Sequence, residues 1–184
     1  MARKVLIVVD MLNDFMHPEG RLYSGDKARE IVGPVVEGIR EYIAEGKPVI
    51  FVHDAHEEDD EEFNLFGRHA VAGTWGGELL DEIREAIEGA SGIHYLAKRR
   101  YSAFFNTNLE EMLRSFGIFD TDEDYPVELC GVETSICVMD TVGDLANRDV
   151  RSLIRTNRVA DFDQEQHECS LKRMDKIYGA RVVD

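Results

Sequence analysis

A chain of 184 residues, 43% of them hydrophobic, has enough apolar material for one folded core and too much for a disordered segment, so a single domain spanning 1–184 is expected. Its 37 Asp and Glu against 21 Lys and Arg leave a formal charge of -16, which repels phosphate backbones and anionic membrane surfaces and argues against nucleic acid and membrane as partners. Three cysteines, Cys130, Cys137 and Cys169, have neither the even count of a disulfide framework nor the paired spacing of a CxxC zinc site, and Cys130 and Cys169 read as small buried hydrophobes.

In chain order, MARKVLIVVD opens with basic residues and an apolar run that Asp10 interrupts well short of a signal core or a spanning helix, which predicts a cytoplasmic protein. The run itself predicts a first strand, followed by a polar MLNDF turn. REIVGPVVEGIREYIAEG spaces its apolar residues three and four apart and stops at Gly46, which predicts a helix. PVIFVHD predicts the second strand. The acidic HEEDDEEF stretch after it reads as a solvated surface run, and GGELLDEIREAIEG as a helix. IHYLAKR, VELCGVE, VRSLIRT and the shorter ARVVD predict further strands. Helical periodicity fills the gaps in NTNLEEMLRSFG, in VMDTVGDLAN and in QEQHECSLKRMDKIYG, and Asn147 is a candidate left-handed residue closing the second of these.

Strands alternating with helices, with no repeat, low-complexity tract or linker, predict a three-layer α/β/α domain around a doubly wound, mostly parallel sheet of about six strands. In such a sheet ligands bind beyond the carboxyl ends of the strands. That rule selects Asp10 after the first strand, Asp54 and His56 after the second, Lys98 at the third and Cys137 after the fourth. Taken singly, Asp10 is also a turn cap, Lys98 a surface charge and Cys137 a core thiol; together an acid, a cation and a thiol gather on one rim. Asp54 and His56 sit two apart, so an extended segment aims both the same way, and with His69 further on they form a set suited to Zn²⁺, Fe²⁺ or Mn²⁺. The same stretch also reads as a solvated acidic loop without metal. Phe15, Trp75, Tyr101 and Phe104 are candidates to frame a flat ring in a pocket, with ordinary core packing as the other reading.

The segments VVDMLNDF, DAH, GRHAVAGTWGGEL, AKRRYSAFFNTNL and CGVETSICV, in that order along nearly the whole chain, resemble the isochorismatase-like cysteine hydrolase superfamily, which includes the nicotinamidases. The resemblance implies a catalytic triad of Asp10, Lys98 and Cys137 and a non-proline cis peptide at Val132–Glu133 serving an oxyanion hole. It also implies metal ligands Asp54, His56 and His69, with Glu62 at an optional fourth place, no organic cofactor, a small-molecule amide as substrate, and self-association as a homo-oligomer. In that reading a helix start and the Lys98 ammonium favour a Cys137 thiolate, which attacks an amide carbonyl, while Asp10 takes the proton. Where nicotinamidases usually carry Trp-Pro before the last metal histidine and Cys after it, this chain has FGR and AV, as in less characterised members of the superfamily. Two other readings stand beside the amidase: vinyl ether hydrolysis of isochorismate, in which an Asp works as acid without thiol attack, and a catalytically idle member that binds or scaffolds.

Overall fold

The computed structural model describes residues 4–184; residues 1–3, which open the MARKVLIVVD segment, lie outside the described residues. The strands are β1 (Val5–Val9), β2 (Val49–Asp54), β3 (Ile93–Lys98), β4 (Val127–Gly131), β5 (Ser152–Val159) and β6 (Arg181–Val183). Each falls on a predicted segment, with β5 continuing past Thr156 to Val159. All neighbours pair in parallel in the order β3-β2-β1-β4-β5-β6. The helices are α1 (Asn13–Met16), α2 (Asp26–Arg29), α3 (Val32–Ala44), α4 (Phe63–Phe66), α5 (Asp81–Ala86), α6 (Leu109–Ser115), α7 (Met139–Ala146) and α8 (Gln164–Lys176).

The alternation of side chains along each strand explains the layers. Val5, Ile7 and Val9 of β1, with Ile50, Val52 and Leu129, pack against Leu109 and Leu113 of α6, Val142 and Leu145 of α7 and Met174 of α8. Leu6 and Val8, with Val49 and Phe51, face the other way onto Val35 and Ile39 of α3 and Ile83 of α5. Both faces of β1 are therefore buried, which is why its sequence is an unbroken apolar run.

Gly46 adopts a φ of 65° just past α3, as a helix stop requires. Two expectations fail. Asn147 stays right-handed at a φ of -63°, and the left-handed residue is Asp149 at a φ of 59°, where the chain turns after one further loop of hydrogen bonding from Asn147 to Gly143. Cys130 is fully buried as expected, but Cys169 is exposed, because it falls on the polar face of α8.

Below the sheet, on the α3 side, Glu128 of β4 is 3% exposed and accepts hydrogen bonds from Arg158 Nη1 at 2.9 Å and the Tyr42 hydroxyl at 3.2 Å. Arg158 spans onward to Glu41 at 2.9 Å, and Gly38 leaves room for it: a Cβ there would lie 2.7 Å from Arg158 Nη1.

Candidate active site

The strand order reverses between β1 and β4, and the crevice that this opens at their carboxyl ends is where the selected residues meet. Register does most of the placement. Val9 of β1 lies beside Val52 of β2 and Gly131 of β4, so the residue after β1, Asp10, emerges between the ends of both neighbours. Its N–H donates to Val52 O at 2.9 Å, its φ is 52°, and its Oδ1 accepts the Asp54 N–H at 2.8 Å. Asp54 and Lys98 are themselves directly paired across β2 and β3.

The close packing at β4 demands a glycine. Gly131 has a φ of 108°, and a Cβ there would lie 2.0 Å from Val9 O. The chain then passes through the cis Val132–Glu133 peptide into a π-helical turn, Thr134–Val138, that presents Cys137 to the crevice before α7 begins. The turn is anchored to the loop after β5: Thr134 N–H donates to Ala160 O at 2.9 Å and Ser135 N–H to Asp161 Oδ2 at 2.7 Å.

Lys98, fully buried, sits at the centre. Its Nζ lies 2.8 Å from Asp10 Oδ2, 2.5 Å from Asp54 Oδ1 and 3.3 Å from Cys137 Sγ. Three residues far apart in sequence thus share one ammonium. Burial and the neighbouring Asp54 carboxylate push Asp10 up to about 6, Lys98 opposing them. Burial would raise Asp54 as well, but Lys98 and His56 outweigh it and hold that carboxyl at about 2. Lys98 stays charged, since the carboxylates outweigh the desolvation that opposes its charge. The sulfur departs from the expectation that its surroundings favour the thiolate. Burial raises the Cys137 thiol well above its ordinary value; Lys98 opposes it, and Asp10 and Asp54 add to it. The resting group is a thiol beside an ionised carboxylate.

Asp54, His56 and His69 bring ligand atoms within 4.8 Å of one another. His56 Nδ1 faces Asp60 Oδ2 at 3.1 Å and His69 Nδ1 faces Gly67 O at 2.8 Å, both pure acceptors, so each ring carries a proton on Nδ1 and turns Nε2 inward, that of His56 lying 3.6 Å from Asp54 Oδ2. Glu62 Oε1 is 4.0 Å from His56 Nε2 and 3.9 Å from His69 Nε2, which brings the optional fourth residue to the same point. Buried and without hydrogen-bond partners are His56 Nε2 and Glu62 Oε2. An imidazole nitrogen without a hydrogen bond, gathered with a second imidazole and two carboxylates, fits a divalent metal.

The cleft above these groups is lined by Phe15, Leu22, Phe66, Tyr101, Ile136 and Phe162, with Asp10, Asp54, Glu62, His69, Val132, Glu133 and Cys137 at its base. Of the aromatic residues expected there, Phe15 and Tyr101 line it. Trp75 does not: it is 47% exposed and packs edge-on to His17, because its backbone carbonyl is held by Asn13 Nδ2 at the far side of the α1 turn. Phe104 does not either, since it packs against the core and stacks under the Arg148 guanidinium at 4.2 Å. Phe66 and Phe162 were missed. Neither lies in a periodic segment; only their place beside the DAH motif and beyond the fifth strand marks them.

Glu133 is a buried acid that burial pushes up to about 8, helped by Asp161 and Asp10. It accepts the Phe162 N–H at 2.9 Å and a close hydrogen bond from Ser24, bridging two walls of the cleft.

A family model described as the Isochorismatase domain matches residues 4–184, and the chain belongs to the isochorismatase family of hydrolases. It is 34% identical to the uncharacterized isochorismatase family protein PncA of Bacillus subtilis (strain 168), over 99% of this chain and 100% of the relative. Among solved structures it is similar to the nicotinamidase/pyrazinamidase PncA from Bacillus subtilis, with a TM-score of 0.90 and 36% identity over 100% of both chains. The pyrazinamidase of Pyrococcus horikoshii in complex with zinc superposes with a TM-score of 0.86 at 28% identity, over 99% of both chains. Six parallel strands with flanking helices match these neighbours. Among the described residues no helix is long and apolar enough to cross a membrane.

Proposed function

We propose that the protein hydrolyses the C–N bond of a small, uncharged amide through a thioester on Cys137, releasing ammonia or an amine. The observation that carries this reading is the Lys98 ammonium within 2.8 Å of Asp10 Oδ2 and 3.3 Å of Cys137 Sγ, at the base of a cleft with aromatic walls. Asp10 is mostly ionised at neutral pH and serves as general base, taking the Cys137 proton as the sulfur bonds to the amide carbon. Lys98 keeps carboxylate and nascent thiolate in reach of one another and stabilises the charge as it moves between them. The carbonyl oxygen gathers the electron pair and needs N–H donors. Those of Val132, Thr134, Ser135, Ile136 and Val138 are bound to Val9 O, Ala160 O, Asp161 Oδ2 and Glu133 O, and the donors we assign are the N–H groups of Glu133, at the cis peptide, and of Cys137 itself. Collapse breaks the C–N bond, and Asp10 returns its proton to the leaving nitrogen. Water then attacks the thioester with Asp10 again as base, releasing the acid and restoring the thiol.

A divalent ion, held by Asp54, His56 and His69 with Glu62, would supply a Lewis acid for a substrate heteroatom or a bound water. The resemblance to a zinc complex supports this assignment but leaves the ion open between zinc, iron and manganese.

Charge favours a neutral amide over isochorismate, which is a dicarboxylate. Acids line the cleft, Arg does not, and the charge of Lys98 is shared between Asp10 and Asp54. The test is ammonia release across a panel of small aromatic and aliphatic amides, nicotinamide and pyrazinamide included. Release from one or more by the native protein and none by Cys137→Ala is expected; amide turnover by Cys137→Ala would overturn the nucleophile, and activity confined to isochorismate would overturn the amide.

A further inference from the structure

We propose that Asp60 is a positioning residue for the metal ion, fixing the ring of His56 and the reach of Glu62 from behind; this rests on the metal reading above. Asp60 lies in the acidic HEEDDEEF run, which reads as solvated surface, yet its side chain is fully enclosed. Each of its oxygens is directed. Oδ2 accepts the His56 Nδ1–H at 3.1 Å, which turns Nε2 into the ligand cluster, 3.6 Å from Asp54 Oδ2 and without a hydrogen bond. Oδ1 accepts the Glu62 N–H at 3.0 Å, which sets the backbone from which that carboxylate reaches the two imidazoles. One carboxylate therefore orients two of the four candidate ligands.

The negative charge on Asp60 is itself secured. Arg100 Nη1 donates to Oδ1 at 2.9 Å and to Oδ2 at 3.1 Å, and Arg99 Nη2 donates to Oδ2 at 3.2 Å. Arg99 and Arg100 directly follow Lys98, so the brace also ties the loop that carries the candidate metal ligands to the strand that carries the ammonium. A loop closed only for stability is served as well by a neutral Asn or Ser cap. A buried anion held behind an imidazole makes that ring a better donor, and such partners are worth about 10- to 100-fold in metal affinity.

The test uses the full-length protein, stripped of metal, in zinc titrations against a chromophoric chelator, with ¹⁵N spectra of the histidine side chains. Asp60→Asn is expected to bind zinc about 10- to 100-fold more weakly than the native protein, with the same far-ultraviolet dichroism. With zinc bound, its spectra should show the His56 Nδ1–H signal displaced from its position in the zinc-bound native protein. Arg99→Gln combined with Arg100→Gln alters only partly exposed side chains and should show a smaller loss of zinc affinity in the same direction; it decides the matter should Asp60→Asn fail to fold. Native-level zinc affinity in these variants, or an unchanged His56 Nδ1–H signal in zinc-bound Asp60→Asn, would overturn the role of Asp60 and leave the metal reading standing. A native protein that takes up no zinc, iron or manganese would overturn both.

Discussion

Replacing Lys98 by methionine keeps most of the side chain's apolar length and removes the ammonium that Asp10 and Asp54 share. At an effective dielectric of about 20, the contacts at 2.8 Å and 2.5 Å are each worth roughly 6 kcal/mol of attraction, most of it offset by taking the charges out of water. Without the ammonium, two carboxylates whose oxygens lie within 4.8 Å repel by at least ~3.5 kcal/mol, equivalent to about 2.5 pH units. One of them must then take up a proton in the native state near neutral pH. Folded acids with raised values stabilise below their unfolded values and lose that stabilisation as the pH rises through the folded value. Lys98→Met should therefore be destabilised by about 3–5 kcal/mol near pH 7 and should recover part of that loss on acidification to about pH 5. Urea denaturation of both proteins across that range measures it. Native-like stability near neutral pH, or a loss that acidification does not relieve, would refute a shared buried ammonium.

Three further outcomes follow from the same geometry. In the native protein Glu133 is pushed up to about 8 from 4.5, so it retains its proton longer than the unfolded chain does, and its contribution is full below about 4.5 and fades as the pH rises to 8. Glu133→Gln cannot titrate, and the stability gap between native and variant should shift in favour of the variant by up to about 5 kcal/mol over that interval, as read by urea melts; a constant gap would contradict it. Gly131→Ala brings a Cβ to 2.0 Å from Val9 O at a φ of 108°, and should cost roughly 2–5 kcal/mol in thermal denaturation and a larger share of turnover, since the Cys137 turn hangs from that residue. Glu128→Ala strands a half of the Arg158 guanidinium beneath the sheet; a loss of about 3–5 kcal/mol in stability with kcat retained at low temperature is expected, and an equal fall in kcat would show that this network reaches the site.

The strands were legible because a parallel sheet buries both faces: the runs VLIVV and VIFV have no polar residue to confuse the period. The strand-end rule then found Asp10, Asp54, Lys98 and Cys137, which register brings together without help from any local pattern. What escaped lies where the structure is set by contacts distant in sequence. The charge state of Cys137 depends on how deeply Asp10, Asp54 and the sheet enclose it, which a helix-start argument does not contain. Phe162 joins the cleft through the hydrogen bond of its N–H to Glu133. Trp75 leaves it because Asn13 holds its carbonyl. Asp60 is hidden among acids that are solvated, and only the arginines after Lys98 separate it from them.

The most direct measurement is mass spectrometry of the protein quenched in acid during turnover of whichever amide it hydrolyses, with the modified peptide sequenced. An acyl group in thioester linkage to Cys137, removed by hydroxylamine and lacking in Cys137→Ala, is the expected result. Turnover by Cys137→Ala, or an acyl group carried by another residue, would contradict a mechanism built on this sulfur, Asp10 and Lys98.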